Sequence, residues 1–210
     1  MELELKKECL DTYELGEPQT LTQEETAETI VPDYCPDIAR IISAEGVVCL
    51  HGGTEQDGVT GTVRVTVLYT PENESGVRAL EFAMPFSAQG EGLAGCAHVV
   101  VDTEIELLES RMLNPRKIFT RCKLVTHLAG CRKVCLTISS DAETDPALLV
   151  EKRCCGQTVS LLRQVAEKDL TFSETMSLSL GREGAAELLH CRANGIVTET
   201  KAIGNKLIFK

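Results

Sequence analysis

The sequence predicts a mainly β protein, in which a twisted antiparallel sheet or compact sandwich with one short helix is followed by a partial repeat of the same unit. Apolar residues occupy alternate positions in several segments, which is the period of a strand with one buried face. Of the 210 residues 43% are hydrophobic, yet aromatic residues make up only 4% and Trp is absent. A core built from Val, Ile, Leu, Ala and Cys favours sheets when the branched residues alternate.

The residues after Pro36 have the pattern of a short helix. Pro36 is predicted to open a short helix that carries Ile38, Ile41 and Ile42, with Asp37 near its positive end. A counterpart is expected over about residues 183–191.

The next elements form a hairpin. Residues 59–69 alternate strictly and predict a strand, and residues 77–86 supply its partner across the turn-rich loop 71–76. Residues 90–95, with three glycines, are predicted to be a loop.

Two further segments carry opposite charges on their polar faces. Residues 99–108 place acids outward, and residues 117–128 place bases outward. If the two strands are antiparallel neighbours joined by residues 110–116, the charges meet across the ladder, at about 0.2–1 kcal/mol per pair. The predicted inward residues are Val99, Val101, Ile105 and Leu107 in the first strand and Ile118, Cys122 and Leu124 in the second. The predicted outward residues are Asp102, Glu104 and Glu106, then Lys117, Arg121 and Lys123.

Residues 131–138 are predicted to form one more strand, and the polar stretch 139–146 is interpreted as a boundary between units. The first unit is therefore placed at residues 1–140, with its core at about 30–130. An incomplete second unit is placed at residues 147–210.

The second unit is inferred from an internal repeat. Residues 20–26 align with 169–175 and share Leu, Thr, Glu and Thr in register, while 3–9 and 39–42 align with 148–154 and 186–189 at nearly the same offset. The second copy stops in its opening strand. The chain is expected either to be a truncated fragment or to carry a decayed second half.

Charge and composition exclude several classes of function. A net charge of −11 argues against binding to nucleic acid or to an anionic membrane. The start lacks the apolar core of a secretory signal and no apolar run is long enough to span a bilayer, so a cytoplasmic location is predicted. In that compartment the ten cysteines are expected to be mostly reduced and to act as small apolar residues.

No catalytic, metal-binding or cofactor-binding residue is predicted. Phosphate-loop, nucleophile-elbow and zinc-protease motifs are absent from the sequence. Asp33 and Asp37 are interpreted as capping residues of a proline-fixed turn and helix start rather than as an acid–base pair. Cys131 and Cys135 would lie about 13 Å apart on one strand face, too far for one zinc ion.

The segment from Arg111 to Lys133 contains seven Lys or Arg residues and no acid. It is a candidate surface for an acidic partner, but pairing with the acidic strand at residues 102–106 is favoured.

The segment from Ile30 to Ile42, with its motif Ile-Val-Pro-Asp-x-x-Pro-Asp-Ile-x-Arg-Ile-Ile, resembles the SPOCS-domain family of SipL-like spore coat morphogenetic proteins. Residues 61–69, 80–87 and 111–117 resemble the same family in order and spacing. The resemblance covers about residues 1–130 and weakens after 147.

The resemblance implies a non-enzymatic scaffold or adaptor in endospore coat assembly, which binds the coat morphogenetic ATPase at the forespore surface on the mother-cell side. The C-terminal LysM module of many members is not seen in this chain. Binding is expected through open sheet edges, which also allow self-association, and through the Ile30 segment. The candidate partner-binding residues are Ile30, Pro32, Asp33, Pro36, Asp37 and Arg40.

Two alternatives stay open. A carbohydrate- or cell-envelope-binding β module fits the all-β prediction, although the chain lacks the Trp platforms that sugars favour. A metal-dependent regulator or enzyme would require a different interpretation of the cysteines.

Overall fold

The computed structural model describes residues 4–51, 58–143, 151, 153, 156, 158–163, 173, 175, 188–193, 195–204 and 206–210. Within these residues the chain forms strands and no helix, so the mainly β prediction is confirmed. The strands are β1 (Glu4–Leu15), β2 (Gln19–Ile30), β3 (Ile38–His51), β4 (Gly58–Pro71), β5 (Arg78–Gln89), β6 (His98–Asn114), β7 (Lys117–Glu143), β8 (Thr200–Ile203) and β9 (Lys206–Phe209). In this described part, no helix is long and apolar enough to cross a membrane.

The strands build two antiparallel sheets and a separate hairpin. In the first sheet β7 is central, with β1 and β2 along one side and β6 along the other. The second sheet has the order β3-β4-β5, and β8 pairs with β9. Strand β6 lies alongside β3, and β2 lies alongside β5, so the two sheets face each other as a sandwich.

The core lies between the two sheets and is built mostly from Val, Ile and Leu. Two hydroxyls buried in it are satisfied across the β6–β7 ladder, because Thr120 bonds Ser110 at 2.8 Å and Thr126 bonds Thr103 at 3.1 Å. The main cluster consists of Val31, Ile38, Val63, Val65, Val67, Tyr69, Leu80, Met84, Phe86, Ile118, Cys122 and Leu124.

Both predicted strand pairs are confirmed. Strands β4 and β5 form the hairpin, and the loop at 90–95 contains no strand. Strands β6 and β7 are antiparallel neighbours, but both run further than expected, so the connection shrinks from residues 110–116 to Pro115 and Arg116. The side-chain oxygen of Asn114 accepts the backbone N–H of Arg116 at 2.9 Å and stabilises this tight turn.

One face prediction fails within β6. The register shifts between Ile105 and Leu107, which adds a residue to this strand. The bulge turns Leu107 outward and Leu108 toward the core, whereas strict alternation predicts the reverse.

The predicted helix after Pro36 is wrong, because Ile38 begins strand β3. The register of β3 against β4 shifts twice, between Ile38 and Arg40 and between Ile41 and Ser43. Each bulge adds one residue, so the side chains facing the core are Ile38, Ile41 and Ala44. Their spacing of three imitates a helical period. Of the expected counterpart, residues 183–187 lie outside the described residues, and residues 188–191 have no regular structure.

The strand predicted at 131–138 is not a separate element but continues β7, which also includes residues 139–143 of the predicted boundary. Beyond Cys131, β7 pairs with β1 alone among the described strands. We call this two-stranded arm, formed by Glu4–Leu15 and Cys131–Glu143, the ribbon. Most of its side chains are exposed.

A disulfide joins Cys9 of β1 to Cys135 of β7, whose Cα atoms are 5.6 Å apart. The other six described cysteines are free, so this bond is the exception to the expectation of mostly reduced cysteines among the described residues. The two positions are neighbours across the β1–β7 ladder, where Cys9 lies opposite Thr137 and Cys135 lies opposite Asp11. The bond therefore fastens the two strands of the ribbon to each other.

Parts of the predicted second unit contact the first. The carbonyl of Leu162 accepts the backbone N–H of Tyr13 at 2.9 Å, along the outer edge of β1. The His190 ring lies 3.2 Å from the Glu45 carboxylate on β3.

Candidate functional site

The loop at residues 31–37 connects the two sheets and is fixed at both ends. Val31, its first residue, and Ile38, the residue that follows it, are fully buried in the core. The Val31 N–H donates to the Arg116 carbonyl and the Ile38 N–H donates to the Pro115 carbonyl, each at 2.9 Å. The loop is therefore attached to the β6–β7 turn before any side chain of its own contributes.

A tight turn presents the tip of this loop to solvent. The Cys35 N–H donates to the Pro32 carbonyl at 2.9 Å, so Asp33 and Tyr34 occupy the two corner positions. Tyr34 is 88% exposed and the Asp33 carboxylate is fully exposed. Ile30, which ends β2, is 71% exposed. The chain thus displays an aromatic ring and a branched aliphatic side chain on a constrained backbone.

The Arg116 guanidinium organises the loop from below. Its Nη1 donates to the Cys35 carbonyl at 2.8 Å and to Asp37 Oδ1 at 3.0 Å. Its Nη2 donates to the Val31 carbonyl at 2.9 Å and to Asp33 Oδ1 at 3.1 Å. One planar cation therefore holds four oxygens of the loop, a geometry that the forked donors of arginine suit and the point charge of lysine does not.

The other side of the loop rests on β4. The Tyr69 hydroxyl donates to the Pro36 carbonyl at 3.4 Å, and the Glu72 N–H donates to the Asp37 carbonyl at 2.9 Å. Burial raises the pKa of Tyr69 above its ordinary value, and the neighbouring Cys35 raises it further. The phenol therefore remains a neutral donor beneath the loop.

The structure gives the six predicted partner-binding residues different environments. Asp33 and Asp37 bind Arg116, so the interpretation of these acids as helix-capping residues is wrong. Pro32 and Pro36 are half-buried in the loop, while Ile30 and Arg40 are exposed on the flanking strands.

Sequence reasoning missed two residues at this site. Tyr34 is one of only three tyrosines and lies between two prolines, so an aromatic residue in a turn was an available signal. Arg116 was visible only as one member of a basic segment and of the family-like stretch 111–117. Its role depends on contacts with residues about 80 positions earlier in the chain.

The cations of the basic segment have intramolecular partners, but the preferred interpretation, pairing with Asp102, Glu104 and Glu106, is confirmed for one pair among the described contacts. Lys123 binds Glu106 of β6 at 2.9 Å, but Arg121 and Lys117 bind acids of β2 instead. The remaining contacts are Arg116 with Asp33 and Asp37, Lys133 with Asp11, Arg132 with the Gly92 carbonyl, and Arg111 over the Phe119 ring.

The described cysteines and acids do not assemble into a metal centre. Among the described residues, no group of three or more His, Cys, Asp or Glu side chains is placed to hold a metal ion. Burial raises the pKa of the Cys122 thiol to about 11, with a smaller contribution from Glu25, so this thiol is protonated at neutral pH. It acts as a core residue, as expected for a small apolar side chain.

Comparison of the chain with known protein families, with curated proteins and with solved structures found no match.

Proposed function

We propose that this chain is a non-enzymatic, protein-binding scaffold module that recognises its partner through the loop at residues 31–37. The observation that carries the proposal is the exposure of Tyr34 on a loop that Arg116 holds through two backbone carbonyls and two carboxylates. Tyrosine is enriched among the residues that dominate protein interfaces, and a rigid loop loses little entropy when it binds.

The chemistry of the loop indicates the kind of surface that fits it. Asp33 and Asp37 share one guanidinium, that of Arg116, so the tip of the loop carries one more acid than it has paired cations. A complementary partner would offer an apolar pocket for Tyr34 and Ile30 with a basic rim. Electrostatic complementarity of this kind favours the correct partner and speeds association.

The resemblance of residues 30–42 to the SPOCS family suggests the cellular process in which this binding takes place. In that setting the chain is an adaptor in endospore coat assembly, located on the mother-cell side of the forespore surface, and its partner is the coat morphogenetic ATPase. The resemblance supports the setting, whereas the exposure of the loop supports the binding mode.

A fluorescent fusion of the chain in sporulating cells tests both parts. We expect a ring or cap around the forespore that disappears when the ATPase is deleted, and a diffuse signal in vegetative cells. A Tyr34→Ala fusion should become diffuse as well. The matched control is Val100→Ala, which removes another exposed apolar side chain at the opposite end of β6.

The outcomes separate the setting from the site. A diffuse signal of the native fusion at both stages contradicts the adaptor proposal for this chain. If the Tyr34→Ala fusion still forms a forespore ring, the role in coat assembly is kept, but the proposal that the partner binds the loop at residues 31–37 is rejected.

A further inference from the structure

The ribbon leaves one strand edge open among the described residues. Strand β7 has neighbours on both sides from Lys117 to Cys131, but from Arg132 to Glu143 only β1 pairs with it, on one side. A two-stranded arm of this kind is marginally stable alone in water. An unpaired edge also exposes a row of backbone donors and acceptors.

The backbone directions show which groups point to the open side. The Gly130 carbonyl accepts from Gly16, on the β1 side, whereas the Cys131 carbonyl accepts from Ala97, on the β6 side. These directions alternate along an antiparallel strand. The β1–β7 register is regular from Cys131 to Ser139, so the outward groups belong to Lys133, Cys135, Thr137 and Ser139.

Between Lys133 and Asp141 the sequence of this edge offers little protection against pairing. Residues 134–140 contain no charge and no proline, which are the residues that commonly block edge strands. Val134, Leu136 and Ile138 share one face of the strand. Leu136 is 38% exposed and Ile138 is 36% exposed, so part of this apolar stripe is left in water.

The ends of the same edge carry opposite charges. Arg132 and Lys133 precede the apolar stripe, and Asp141 and Glu143 follow it. A second copy of the strand laid antiparallel places the basic end of one beside the acidic end of the other. A parallel copy would place like charges together.

We infer that two copies of this chain pair antiparallel through the open edge of β7, with Leu136 of each copy on a two-fold axis. The four outward residues are symmetric about Leu136, so Lys133 lies opposite Ser139 of the second copy and Cys135 lies opposite Thr137 of the second copy. This register forms about eight backbone hydrogen bonds. It also places Val134 opposite Ile138 of the second copy and joins the two ribbons into a four-stranded sheet.

The inference does not rest on the loop at residues 31–37, which lies at the other end of β7. The test is the molar mass of the full chain in solution by light scattering. We expect twice the chain mass for the native protein, for Thr137→Ala and for Tyr34→Ala. Thr137→Pro should have the mass of one chain, because it removes an N–H that points to the open edge and not to β1.

A cysteine cross-link provides a second measurement in case Thr137→Pro perturbs folding. Residues opposite each other in a non-hydrogen-bonded pair are close enough for a disulfide, so Leu136→Cys should form a covalent dimer on a non-reducing gel. Val134→Cys is the control, since position 134 of one copy lies opposite position 138 of the other and the two new thiols would not meet. The inference is overturned if the native protein has the mass of one chain and Leu136→Cys forms no cross-link. It is also overturned if Thr137→Pro folds well and is still a dimer.

Discussion

Replacement of Arg116 by Met tests whether the loop depends on one side chain. The methionine fills similar space but donates no hydrogen bonds. The variant loses two charge-assisted bonds to the Val31 and Cys35 carbonyls, each worth at least about 1.5 kcal/mol. The pairs with Asp33 and Asp37 add little, since these carboxylates are largely exposed. We therefore expect a loss of about 3 kcal/mol in the free energy of unfolding.

Urea denaturation, with the slope of the transition compared between variants, measures this loss. In a chain of this size the same loss corresponds to a melting temperature lower by about 6–12 °C. The matched control is Arg121→Met, which breaks a 2.7 Å pair with Glu24 in which both side chains are 45% exposed. We expect the control to lose less than about 1 kcal/mol. Equal losses for the two variants would refute the assignment of Arg116 as the organiser of the loop.

Two more variants and one pH series test the fold by the same denaturation measurement. Replacing both Cys9 and Cys135 by Ala removes a cross-link between residues 126 positions apart, for which chain entropy predicts a loss of up to about 5 kcal/mol. Gly61→Ala should cost about 1–3 kcal/mol, because the added Cβ overlaps the ring of Phe86. The raised pKa of Cys122 predicts a contribution to stability that is complete below about pH 9 and lost as the pH rises toward about 11.

Each of these three tests has a control. Adding reductant should lower the urea midpoint of the native protein but not that of the double Ala variant, and a similar drop in both would contradict the disulfide argument. Gly156→Ala should be neutral, since its Cβ would meet nothing within 4 Å. Cys122→Val should flatten the pH dependence between about pH 9 and 11. If it does not, another group is responsible for that dependence.

The elements that the sequence predicted correctly have one inward side chain at every second position. Strand β4 is the clearest case, since Val63, Val65, Val67 and Tyr69 are all fully buried. Strand β2 gave no such signal because its half-buried positions include Gln23, Glu25 and Thr29, which are as polar as its exposed ones. Strand β3 was mistaken for a helix because two bulges altered its period.

The contacts that hold the candidate loop in place could not be predicted from the sequence. The Ile30 to Ile42 segment could be identified from its prolines and acids, yet the partner of those acids lies about 80 residues further along the chain. The Cys9–Cys135 bond has the same character, since only the pairing of β1 with β7 brings the two thiols together. Long-range contacts of this kind depend on sheet order, which local patterns do not determine.

The length of β7 has a mechanical consequence. Its 27 residues reach at most about 90 Å along the chain, from the turn that holds the Tyr34 loop to the far end of the ribbon. A pull between a partner at the loop and a second copy at the ribbon would run along this strand. Hydrogen bonds to antiparallel neighbours lie perpendicular to such a pull, so they are loaded in shear and resist it together. Strand β7 would then carry the tension from one end of the module to the other while the core stays closed.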